Sequence, residues 1–204
     1  KVNFSSFESL IPNSKPQQGV KFKVSYAQNN IEIVTKEILI SVQEDGLVRV
    51  FNRDGNKLLI ESDRLFETSS SDDGEYKIKQ KYFLAFHEHV YGFGQDDKEK
   101  RYNIRNKSFK HEQTVSKIAS PIMFSEKGYA LIWDNYSLTN FNDAKSGLEI
   151  ASDVADEIQY FFVYGPEWGK VISEIRKLTG SVPMLPRWAF GHWLYPGNFS
   201  DENL

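Results

Sequence analysis

Cysteine is absent from the 204 residues, which excludes disulfides, thiolate metal sites and a cysteine nucleophile. The absence says little about compartment, because a domain able to bury a full core needs no covalent staples. No stretch approaches the ~20 apolar residues that a membrane-spanning helix needs, so no membrane partner is expected. The chain opens on Lys1 with no charged, apolar signal segment in view, and the compartment stays open. An excess of one charge sign is missing too: 25 basic residues stand against 28 acidic ones, interspersed, for a net charge of −3. That balance carries no nucleic-acid footprint.

What the chain does have is aromatic weight, with 15 Phe, 10 Tyr and 4 Trp. Aromatic residues favour strands and also line sugar-binding surfaces, so core filling and carbohydrate contact both stay open. Residues 1–18, with Pro12 and Pro16, read as a lead-in. Residues 19–27 alternate: Val20, Phe22, Val24 and Tyr26 face one way and Lys21, Lys23 and Ser25 the other, the pattern of a half-buried strand. Ile31 and Ile33 begin a second strand, and Ile38, Ile40 and Val42 a third. Asp45-Gly46 and Asp54-Gly55 fall between apolar runs, and Asp-Gly marks a hairpin because glycine takes the positive φ of the turn. The polar run 68–75 is another exposed turn, after which residues 76–86 alternate again. Short strands with turn chemistry between them predict an antiparallel β-sandwich.

Residues 88–95 (EHVYGFGQ) read as a short strand carrying two glycines. No third glycine or strand-to-helix context follows, so this is not a dinucleotide fingerprint. Glycine here marks a bulge or a close backbone approach. Residues 96–117 are polar and aperiodic, long for a loop in a compact domain, and such loops are disproportionately functional. Asp96 and Asp97 open that loop and are candidate substrate-binding carboxylates. Glycoside hydrolysis needs two carboxyl groups facing each other ~5–10 Å apart. Neighbours in an extended chain point opposite ways, so this pair cannot do that alone. His87 and His89 share a face if they lie on a strand, but no third ligand of suitable spacing accompanies them, and no metal or other cofactor is predicted. No strand-to-helix serine elbow is present either.

The last third changes character. Residues 157–165 (EIQYFFVYG) are apolar on both faces, as in a strand covered on both sides. Pro166 stands at a helix start, Val171, Ile172, Ile175 and Leu178 form an apolar stripe at helical spacing, and Gly180 is the C-cap. Beyond Pro183 and Pro186, residues 188–194 (WAFGHWL) predict a buried strand that opens a new α/β unit. The expected organisation is mainly β: a sandwich domain over 1–165, a linker helix and connector over 166–187, and the start of a second domain over 188–204.

Four blocks in regular order between about residues 90 and 195 resemble glycoside hydrolase family 31, the α-glucosidase and α-xylosidase family. They are Val90–Gln95; Ser120–Ser125 with Lys127-Gly128-Tyr129 and Trp133-Asp134-Asn135; Glu157–Gly165; and Leu178-Thr179-Gly180 through Pro186–Gly191. The resemblance implies an N-terminal galactose-mutarotase-like β-sandwich, then a (β/α)8 barrel truncated after its first strand. It implies a retaining α-glycosidase that hydrolyses α-xylosidic or α-glucosidic bonds in oligosaccharides without metal or cofactor. Its nucleophile and acid/base aspartates would lie beyond Leu204, leaving no catalytic residue in this chain. The Gly94-Gln95 and Trp133–Ser137 blocks lean towards the α-xylosidase branch, whereas Arg105–Lys107 and His111–Thr114 depart from it.

On that resemblance the sandwich packs against its own barrel, and the loop opened by Asp96 and Asp97 shapes a sugar subsite. His192 and Tyr195 would lie at the C-terminal end of the first barrel strand, where such barrels bind substrate. The alternative is a free-standing carbohydrate-binding sandwich without hydrolase activity. A mutarotase is a third reading. It needs an inward His and Glu in one cleft, and alternation sets Glu88 opposite both His87 and His89.

Overall fold

The fold, seen in a computed structural model, is described over residues 8–12, 19–27, 29–68, 76–96, 102–144 and 147–193. Six consecutive strands form an antiparallel meander: β1 (Lys23–Tyr26), β2 (Asn30–Val34), β3 (Ile38–Gln43), β4 (Val48–Asn52), β5 (Lys57–Thr68) and β6 (Tyr76–Phe83). Past β6 the sheet continues through β14 (Gly147–Ala155), β13 (Thr139–Ala144) and β9 (Ser108–His111), nine strands in all. A four-stranded sheet faces it, in the order β15 (Tyr160–Tyr164), β12 (Tyr129–Trp133), β11 (Ile122–Ser125) and β7 (Val90–Gly92). A separate ribbon pairs β8 (Gln95–Asp96) with β10 (Lys117–Ile118). The expected antiparallel, mainly β architecture is what forms.

Period-2 burial explains the core. Ile78, Gln80 and Tyr82 of β6 are fully buried on one face, opposite Tyr129, Leu131 and Trp133 of β12. The other face of the small sheet, through Ala130, Ile132 and Val163, meets Val171 and Ile175 of helix α1 (Trp168–Thr179). Covered on both sides, β12 is buried at every position. Residues 160–164 behave as their two apolar faces predict: Tyr160, Phe162 and Tyr164 meet the large sheet, and Phe161 and Val163 the helix. Gly180 caps α1 at φ 96°, its amide bonded to the Arg176 carbonyl at 2.9 Å.

Three expectations are corrected. The apolar face of residues 20–26 is not half-buried: Val20, Phe22, Val24 and Tyr26 are all exposed. Four strands cannot cover nine, and β1 lies at the far edge of the larger sheet. The stretch 96–117 is not one long loop, since β9 and β10 form inside it. Phe109 and His111 point inward from β9 while Ser108 and Lys110 point out, an alternation too short to read against its polar neighbours. Third, no strand forms over 188–193. Arg187–Phe190 make a 3₁₀ turn, and Trp188, Phe190 and Trp193 are exposed. A strand needs a neighbour for its backbone groups, and among the described residues none lies alongside this segment. Leu194 falls outside the described residues.

Candidate functional site

The site expected around Asp96 is built by a backbone device. Gly92, Phe93 and Gly94 all have positive φ, at 112°, 56° and 92°. L-residues with side chains avoid this region, and a bulky one there is an outlier held by its surroundings. What holds Phe93 is burial against the rings of Phe109, Phe141 and His111, with centroids 6.4, 5.2 and 5.5 Å away, and an amide bond to the Ile122 carbonyl at 2.8 Å. The two glycines are required for a second reason. A Cβ at Gly92 would overlap the Ile122 carbonyl, and one at Gly94 the Ile118 carbonyl. The expectation of a close backbone approach is met at both.

This kink throws the chain from β7 into the ribbon, where Asp96 pairs with Lys117 across β8 and β10. Asp96 is 9% exposed, and its carboxylate lies 3.7 Å from the Lys117 ammonium, which also sits 3.4 Å from Glu112. Lys117 therefore anchors a small acidic cluster at the ribbon. Asp97 and Tyr195 lie outside the described residues. His192 is described and exposed, just past the 3₁₀ turn. No hydrogen bond, ion pair or ring contact joins Asp96 to His192 among the described residues.

At the start of β7, the end away from the ribbon, lies a charged network that sequence reasoning missed. Glu88 is buried, its Oε1 accepting from Ser125 Oγ at 2.6 Å and Tyr129 OH at 2.8 Å. Its Oε2 lies 2.7 Å from Lys127 Nζ and accepts the Ala85 amide at 3.2 Å. Burial, and then the Glu88 charge, push the Tyr129 phenol well above its ordinary pKa, so it remains a donor. Alongside, the Arg105 guanidinium donates to Asp143 at 2.6 Å and to the Ala85 and Glu88 carbonyls at 2.8 and 2.6 Å. The only signal in the sequence was Glu88 between two histidines. Its fourfold commitment and the exposure of His87 and His89 leave no inward His–Glu pair here, against the mutarotase reading. Among the described residues no group of three His, Cys, Asp or Glu is placed to hold a metal ion.

His89 instead pairs outward. Its amide and ring bond Glu126 at 3.0 and 2.8 Å. The amide first, and the ring second, hold the Glu126 carboxyl below its ordinary value of 4.5. The unfolded chain thus binds this proton more readily. The stabilisation is present above the ordinary value and lost as pH falls through the folded one. In a carboxyl-carbon NMR titration Glu126 should titrate low, and His89→Ala should raise it only part-way, because the residue 89 amide survives. A titration unmoved by His89→Ala would refute the ring's share.

Unequal antiparallel sheets with a helix strapped across the smaller one define a β-sandwich domain. More narrowly, the chain belongs to the glycosyl hydrolase 31 N-terminal galactose mutarotase-like domain family, whose model matches residues 6–142. An α-xylosidase of Saccharolobus solfataricus is 33% identical over 126 residues, covering 58% of this chain and 17% of the relative. An isomaltosyltransferase of Sporosarcina globispora is 26% identical over 130 residues, covering 60% and 12%. Among solved structures, a GH31 α-xylosidase from a soil metagenome, complexed with xylose, superposes with a TM-score of 0.81 at 20% identity, covering 92% of this chain and 30% of that one. A Flavobacterium johnsoniae GH31 dextranase complexed with isomaltotriose gives 0.76 at 22%, covering 93% and 24%. The chain thus spans less than a third of each of these proteins. At these identities the superpositions show the fold alone.

Proposed function

We propose that this chain is the N-terminal support domain of a retaining α-glycosidase hydrolysing α-xylosidic or α-glucosidic bonds in oligosaccharides. In this reading a (β/α)8 barrel starts at residue 188, and its two catalytic aspartates lie beyond Leu204. The segment over 182–193 carries the proposal. Met184 is 93% exposed, Trp188 70%, Phe190 71% and Trp193 69%. A run of uncovered aromatic and aliphatic side chains this dense marks a surface made to be covered by protein. Packed among barrel strands, the same residues would gain the backbone partners and the burial they lack here. The glycine-kinked ribbon would then hold Asp96 and Asp97 towards the sugar, with His192 and Tyr195 at the barrel mouth. A free-standing module leaves that aromatic segment in water without a purpose.

The test has two arms. Reading the gene past Leu204 should show several hundred residues with βα periodicity and two aspartates at strand ends; a stop codon there sinks the proposal. The purified 204-residue chain should not hydrolyse a nitrophenyl α-xyloside or α-glucoside. Turnover by this chain alone would mean the chemistry has been misplaced.

A further inference from the structure

A cleft of about 730 Å³ opens beside β15, the edge strand of the small sheet, above β4 and β5 of the large one. Its walls include Glu61, Arg64, Phe66, Tyr76, Glu157 and Tyr160. Glu61 and Arg64 are three apart on β5, so plain alternation would send them to opposite faces. They meet because the register shifts between Glu61 and Asp63: Glu61 faces Tyr82 and Asp63 faces Lys81, which leaves Ser62 as an extra residue. A bulge of this kind re-aims a side chain, and here it turns Arg64 into the cleft.

The floor is already set. Glu61 is 2% exposed. Its Oε2 accepts the Val48 amide at 2.7 Å and an Arg64 N–H at 2.8 Å, and its Oε1 accepts Tyr160 OH at 2.8 Å. Burial, and then the Glu61 charge, push the Tyr160 phenol far up, so it remains a neutral donor. Arg64 spends Nε on Gln80 at 3.3 Å and Nη2 on Glu61 and the Gly46 carbonyl. Its Nη1 has no acceptor among the described residues. Phe66, 46% exposed, offers an aromatic face, and Glu157 a carboxylate on the far rim.

We infer that this cleft is a binding site for a neutral saccharide, which nothing in the family match assigns. Anions are disfavoured, because three carboxylates (Glu61, Asp156 and Glu157) line the cleft against one guanidinium. A cation finds the best-placed carboxylate, Glu61, already taken by three donors. A polyol suits what remains: the Arg64 corner donates to hydroxyl oxygens, Glu157 accepts from hydroxyls, and Phe66 covers an apolar ring face. Such a mixture of an apolar wall and a few converging polar groups is what small-molecule sites share.

The site uses residues of this chain only, so its test is separate from the glycosidase reading. The ¹⁵N-labelled 204-residue chain is titrated with isomaltotriose, and with spermidine in parallel. Saturable shifts are expected for the Gly46, Val48 and Ile158 amides with isomaltotriose, with half-saturation at about 1 mM or below. Phe66→Ala and Glu157→Ala should each weaken binding about fivefold, with melting temperatures close to the parent's. Non-saturating shifts, shifts confined to another surface, affinity equal to the parent's in both variants, or saturation by spermidine instead would each overturn the inference.

Discussion

Arg105→Met should lower the stability of the chain by about 3–5 kcal/mol. The side chain is only 15% exposed and its partner Asp143 1%. The variant leaves a buried carboxylate with one remaining described donor, the Asn106 amide at 2.6 Å. It also takes the Arg105 donor from the Glu88 carbonyl, whereas the Ala85 carbonyl keeps the Glu88 amide at 3.0 Å. Against a total of roughly 5–15 kcal/mol for a domain, that is a large share, equivalent to about 2 M in urea midpoint. The double variant Arg105→Met, Asp143→Leu should recover part of the loss, because removing both charges removes the unpaired one. A single-variant change below about 1 kcal/mol would mean that water reaches the pair and the network does not matter.

Gly94→Ala is the second large effect. The positive φ alone costs roughly 1–2 kcal/mol for a side-chain-bearing residue. The added methyl also collides with the Ile118 carbonyl, which the β8–β10 pairing fixes in place. Gly55→Ala supplies the control, since Gly55 has φ 83° and no atom within 4 Å of an added Cβ. Thermal melts should show Gly55→Ala losing a few degrees and Gly94→Ala at least twice as much, about 3 kcal/mol or more in all. Equal losses would show that the ribbon yields to the methyl, and that the kink does not hold Asp96 in position.

These two cases mark what could be read in the sequence and what could not. Asp45-Gly46 and Asp54-Gly55 announced their hairpins, and both glycines have φ near 80°. Helix α1 declared itself by Val171 and Ile175, which are its buried residues. The close approach at Gly92 and Gly94 was legible because only glycine permits it. The Arg105–Asp143 pair was not legible. The two residues are 38 apart in sequence, and nothing local marks an arginine in a polar stretch as buried. The Glu61–Arg64 cleft was hidden more deeply, because the bulge at Ser62 leaves no residue signature and reverses the alternation on which strand reading depends. Exposure misled in its own way. Val20 to Tyr26 carry the pattern of a half-buried strand, but burial depends on the other sheet, which does not reach them.

The pairing of β6 with β14 also sets an order of assembly. Strands β1 to β6 follow one another in the chain and can zip through successive hairpins. The remaining edge of β6 pairs with β14, which begins only at Gly147. Until the chain has been made that far, Ile78 and Tyr82 sit on a strand with one open flank. Closing so long a loop is slow, and an unpaired apolar edge invites association with other chains. The middle of the large sheet thus keeps an open flank until most of this domain has been made.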